Sequence, residues 1–205
     1  MNSVNTRPYH HGHLREELVR IAVELATEGG PEAVVLREAA RRAGVSASAA
    51  YRHFQGQDAL LDAVRRAAVD GLRRRMDTEI ARLPADADVR DRVEAAGRGY
   101  FLFGVEESPL FRVLTDGMLL DADAAARKET TGDGADAFGR LLGLVRTAVP
   151  GADQDEVVAT AVSLWSAVHG YTVLCTTGAL SHWPRERRLA VLPGVLAPAL
   201  RALDG

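Results

Sequence analysis

The chain has 205 residues, of which 47% are hydrophobic and 26% charged, and its formal net charge is −3. These are ordinary globular values for one large domain or two small ones, and they argue against long disorder, collagen or a disulfide-built mini-protein. The single cysteine, Cys175, excludes an internal disulfide and a multi-cysteine metal site.

Residues 1–13 have no apolar run of the kind a secretory signal needs, so the cytoplasm is the expected location. They form a polar arm with a small cluster of His10, His11 and His13. Three readings stand for it: a DNA-facing arm, a weak adventitious metal site, or a plain polar terminus. Leu14, Leu18, Ile21, Ala22 and Leu25 then recur at helical spacing until Gly29-Gly30-Pro31 stops the helix. A second helix is expected from about Leu36 to Ala43, stopped by Gly44. A third opens at Ser46, a natural N-cap, and runs to about His53. A long helix follows from Ala59 to about Leu83, ended by Pro84.

Helical patterns continue over Val89–Val105, from Ser108-Pro109 to about Met118, and over Asp136–Val149, with a loop at 121–135. Asp153 or Asp155 then caps a helix in which no charged residue occurs from Val157 to Pro184. That stretch is long enough to span a bilayer, but its Thr, Ser and His content suits a buried helix, so no membrane is expected. Pro193 and Pro198 make an unbroken final helix improbable. No strand alternation and no internal repeat is visible, so the fold class is all-α.

Charge is uneven along the chain. Residues 1–75 carry 12 Arg against 9 acidic residues, a balance of +3, and the remainder carries −6. A basic N-terminal part fits a polyanion partner, and it equally fits a solvated helix surface.

Residues 36–55, LREAARRAGVSASAAYRHFQ, have helix-turn-helix spacing. Small Ala40 and Ala50 allow a close crossing, Gly44 permits the tight turn, and Val45 fills the angle. The second helix is then free to enter a major groove. In this context Ala-Gly-Val-Ser and Tyr-Arg-His-Phe, over about residues 8–61, resemble the tetracycline-repressor-like (TetR) family of transcriptional regulators. Trp165, His169 and Gly170 resemble the Trp-His-Gly motif of one class of TetR ligand-binding domains. The resemblance implies a three-helix DNA-binding domain followed by a larger helical bundle. It also implies a homodimer on a palindromic double-stranded operator, and a small-molecule effector that releases the DNA. The expected division is an arm at 1–13, the DNA-binding domain at 14–57, a connecting helix at 58–83, and an effector-binding and dimerisation domain at 84–205.

Expected DNA contacts follow from residue chemistry. Ser46 caps the recognition helix and reaches phosphate. Ser48 and Arg52 are base-edge or phosphate candidates, and Ala47 is small enough to meet a thymine methyl. Tyr51 and His53 suit phosphate, with Arg37, Arg41 and Arg42 flanking the DNA. For the effector, Trp165, His169, Thr172 and Thr176 share one face of the uncharged helix, and Phe101, Phe111, Met118 and Phe138 are further lining candidates. A buried interface helix whose hydroxyls bond their own carbonyls is the other reading of that face. No metal, cofactor or enzymatic chemistry is expected: His169 and Cys175 are badly phased for a thiolate–imidazole pair, and no Gly-rich phosphate loop occurs. The alternative function is an all-α interaction protein with a vestigial helix-turn-helix.

Two positions depart from the family pattern. Val35 stands where a Ser or Thr usually caps the second helix and touches phosphate, and Gln57 stands where a Lys usually does so. Salt-titrated DNA binding should therefore be weaker and less salt-dependent than in members that keep both contacts. A slope steeper than the remaining arginines explain would contradict this.

Overall fold

The computed structural model describes residues 13–116 and 137–203. His10, His11, Met118 and the loop expected at 121–135 lie outside the described residues. Among the described residues there are nine α-helices and no strand. They are α1 (Leu14–Gly29), α2 (Leu36–Arg42), α3 (Ala47–Tyr51), α4 (Gln57–Ile80), α5 (Val89–Glu106), α6 (Ser108–Thr115), α7 (Ala137–Ala148), α8 (Gln154–Thr176) and α9 (Arg185–Leu200). The all-α expectation agrees with this architecture.

Local chemistry explains most of the boundaries. Gly30, at φ 77°, turns the chain out of α1 into a short 3₁₀ turn at Pro31–Ala33. Ser46 accepts the Ala49 N–H at 3.2 Å and starts α3, which ends at Tyr51, two residues earlier than its sequence suggests. Asp88 caps α5 by accepting the Asp91 N–H at 2.7 Å. Asp153 and Glu156 form a reciprocal capping box at α8, each side chain bonded at 2.9 Å to the other's backbone N–H.

The packing has two centres. α1, α2 and α3 bury Leu18, Ile21, Ala22, Ala39, Ala50 and Phe54 together with the first half of α4. Around α5 sit α4, α6, α7, α8 and α9. Every residue of α5 from Gly99 to Gly104 is buried, because neighbours cover this helix on all sides. One apolar core runs continuously from Leu14 to Leu203. α8 is long and apolar enough to cross a membrane by length and composition, yet it packs on α5, α7 and α9.

The expected break in the last helix does not occur. α9 is continuous through both Pro193 and Pro198. Both prolines are exposed, Pro193 beside the buried stripe and Pro198 on the far face, while Leu192, Leu196 and Leu200 form a buried i, i+4, i+8 stripe. The leucine stripe holds the helix against α5 and α8 despite the two missing N–H groups.

Candidate DNA interface and effector cavity

The N-terminal unit closes as its composition requires. Gly44, at φ 70°, makes the turn between α2 and α3, and the Val45 N–H bonds the Ala40 carbonyl at 3.0 Å. Ala40 and Ala50 are almost fully buried where the helices cross. Ala47, Ser48, Tyr51, Arg52 and His53 are left exposed along and just beyond α3. Tyr51 is 46% exposed, so it is no core-rim tyrosine. Ser46 Oγ also lies 3.0 Å from Ser48 Oγ, so the cap and its neighbour are linked.

The three flanking arginines differ. Arg37 is exposed and has no side-chain partner among the described residues. Arg41 makes two bonds to Glu38, at 2.8 and 2.7 Å. Arg42 reaches across to Glu28 with two bonds at 2.8 Å and also meets Glu38 at 3.0 Å. Arg41 and Arg42 together hold the Glu38 carboxyl well below the usual carboxylate range. Neither helix start at the two departing positions carries a side-chain cap: Val35 precedes α2 and Gly56-Gln57 opens α4.

In the C-terminal half, aromatic groups from four helices meet. The Tyr100 hydroxyl on α5 lies 2.7 Å from His169 Nδ1 on α8. Tyr100 packs edge-on against Trp165 with ring centres 4.8 Å apart, and Trp165 packs edge-on against Phe138 of α7 at 5.4 Å. Phe111 of α6 sits 5.8 Å from Tyr100 and 5.9 Å from His169. Sequence reasoning passed over Tyr100 for its neighbour Phe101, which instead stacks on Tyr171 at 5.4 Å. Thr172 donates to the Val168 carbonyl at 2.7 Å and Thr176 to the Thr172 carbonyl at 3.0 Å, so both hydroxyls are tied to their own helix.

Beside this cluster is a cavity of about 20 Å³, bordered by Met76, Tyr100, Leu141, Trp165, Val168 and Leu196 among others. Of the expected lining residues only Trp165 borders it; Phe111, Phe138 and His169 stand behind Tyr100 and Trp165. The space suits about one water, so a ligand enters only by displacing side chains. Among the described residues no charged side chain borders it.

A long-range ion pair joins the two halves. Arg112 of α6 meets Glu32 in the 3₁₀ turn at 3.1 Å, and its guanidinium lies against Gly30. These residues are 80 apart in sequence, which is why no local pattern announces the pair.

Two family profiles match the chain. One, "Bacterial regulatory proteins, tetR family", covers residues 18–64, and the other, "Tetracyclin repressor-like, C-terminal domain", covers residues 93–192. The chain belongs to the TetR family. Similar TetR-like folds occur in solved structures. A Rhodococcus sp. RHA1 protein of unknown function is 23% identical, with a TM-score of 0.74 over 98% of this chain and 100% of that one. A TetR family protein from Vibrio parahaemolyticus is 15% identical, with a TM-score of 0.58 over 92% of this chain and 97% of its own. PfmR, a TetR family transcriptional regulator from Thermus thermophilus, is 18% identical, with a TM-score of 0.52 over the same shares. No curated protein matches the sequence. The TetR family is one of DNA-binding transcriptional regulators.

His169 is the group of this cluster through which pH should act on stability. Burial pushes its imidazole below the ordinary value of 6.5, so the folded chain favours the neutral ring. Tyr100, the titratable group it touches, is itself pushed up by burial and stays protonated. The stabilising contribution is complete above about pH 6.5 and is lost as pH falls through the lower folded value. The native chain should therefore lose more thermal stability between about pH 7.5 and about pH 5.5 than His169→Gln does. Equal losses in the two proteins would contradict this assignment.

Proposed function

We propose that this TetR family member is a cytoplasmic, ligand-responsive repressor that binds a palindromic operator as a homodimer. The observation that carries the reading is the exposed face of α3, where Ala47, Ser48, Tyr51 and Arg52 are clear of the core and Arg52 has no intramolecular partner among the described residues. In this reading Arg52 and Ser48 reach base edges, and Ala47 meets a thymine methyl. Ser46, Tyr51, His53 and Arg37 take phosphates. Arg41 and Arg42 serve the DNA only by exchanging Glu38 and Glu28 for phosphate, which weakens their net contribution. Residues 14–57 carry recognition, 58–83 the connection, and 84–205 effector binding and dimerisation.

The dimer face in this reading is the outer side of α8 and α9. Ala159, Ser163, Ser166, Gly170 and Leu174 are exposed on one uncharged stripe of α8, beside exposed Val191 and Gly194 of α9. Leu174 is 45% exposed and Val191 36%. Small residues allow close helix approach, and the two larger ones supply apolar area. The effector occupies the aromatic cluster of Tyr100, Trp165, His169, Phe111 and Phe138, opening the small cavity as it enters. Phe101, Thr172 and Thr176 support that wall from behind. Movement of Phe111 is passed to its neighbour Arg112 and so to Glu32.

Selection of bound sequences from a random duplex pool tests the DNA reading. A palindrome with half-sites about one helical turn apart, roughly 34–36 Å, is expected. Absence of any motif at low and moderate salt would favour the interaction-protein reading, for which Val35, Gln57 and the paired Arg41 and Arg42 are the supporting observations. Leu174→Glu should sediment as a monomer at micromolar concentration and lose operator binding, because a charge on the uncovered stripe opposes pairing. A dimeric Leu174→Glu protein would overturn the proposed face.

A further inference from the structure

A groove of about 430 Å³ lies between the C-terminal turn of α4, the first half of α5 and the middle of α9. It is the size of a small-molecule site, whereas the aromatic cavity is about 20 Å³. Leu196 borders both spaces. Its Cδ1 lies against α5 at Gly97, where a Cβ would come within 2.9 Å. One leucine side chain therefore forms the partition between an open groove and the closed aromatic cluster. The groove side of α9 is opposite its exposed Val191 and Gly194, so the groove stays open when the outer face is covered.

The charges around the groove are unevenly partnered. Glu79, 4% exposed, is bonded by Arg82, by Arg98 at 3.2 Å and approached by Arg75 at 3.7 Å. Both lining arginines are paired with that one carboxylate, which offsets one of their two charges. Asp91 and Glu94, one turn apart on α5, make no ion pair among the described residues. The lining thus presents three carboxylates against two guanidiniums, above an apolar wall that includes Leu189, Leu192 and Leu196. An anionic head would meet uncompensated carboxylates there, and a neutral one would leave them unused.

We propose that this groove binds an amphipathic cation, with its positive head at Asp91 and Glu94 and its apolar body laid along α9 and past Leu196 toward Trp165. The proposal rests on the reading of the C-terminal half as a ligand-binding domain and names the ligand's class and its way in.

The test uses three probes with one tail and different heads: decyltrimethylammonium, decanoate and decanol, each below its micelle concentration. Trp183→Phe leaves Trp165 as the chain's one tryptophan, so its emission reports entry while calorimetry reports binding. Decyltrimethylammonium should bind tightest and change Trp165 emission. Glu94→Gln, which breaks no hydrogen bond among the described residues, should weaken that binding about tenfold and leave decanol unchanged. Decanoate binding as tightly as the cation, or an unchanged affinity in Glu94→Gln, would overturn the cation assignment. Binding without a Trp165 response would overturn the passage past Leu196. Operator binding separates the two readings: a bound cation that leaves the DNA complex intact sinks the effector role and keeps the site. Release by some other compound, with no cation binding, does the reverse.

Discussion

The contact on which the rest of the molecule depends is the approach of α5 to α4 at Gly99. A Cβ there would lie 2.6 Å from the Met76 Cα and 2.8 Å from the Arg75 carbonyl oxygen. Because those are backbone atoms, no rotamer change relieves the overlap. The absence of a side chain lets α5 lie on the backbone of α4, with Leu72 and Met76 buried in the seam. α5 in turn is the helix that α6, α7, α8 and α9 cover. The first half of the same α4 supplies Leu60, Ala63 and Val64 to the core with α1. One 24-residue helix therefore belongs to both halves of the chain.

The position of the aromatic cluster follows from this seam. Tyr100 adjoins Gly99, so the close approach fixes where its ring and hydroxyl stand relative to Trp165 and His169. Phe111 and Arg112 are consecutive on α6 and point to different partners, the first to the cluster and the second to Glu32. The aromatic cluster and the N-terminal helices are thus joined twice, by α4 through shared packing and by α6 through an ion pair.

Local chemistry was legible in the sequence where it was self-contained. Gly44, Ser46 and the small alanines announced the turn between α2 and α3, and the start of α8 was narrowed to Asp153 or Asp155, of which Asp153 is the cap. The limits were set by tertiary context. Periodicity on α5 could not choose between Tyr100 and Phe101, because a helix buried all round has no polar face to orient it. Arg41 and Arg42 looked free for DNA, but Glu28, 14 residues before Arg42, folds back to meet it. The prolines of α9 argued for a break, and the buried Leu192–Leu196–Leu200 stripe holds the helix continuous through them. Glu79 was passed over because its third arginine, Arg98, comes from α5 and completes what Arg75 of α4 and Arg82 just after it begin.

The most direct test of this account is the urea unfolding of Gly99→Ala, followed by pulsed hydrogen exchange at α1 and at α8. The account predicts a loss of about 1–3 kcal/mol, with both helices becoming exchangeable in one coincident transition. If α1 unfolded at its native denaturant concentration while α8 alone was weakened, or if neither was weakened, the shared α4–α5 seam would not be what holds the two halves together.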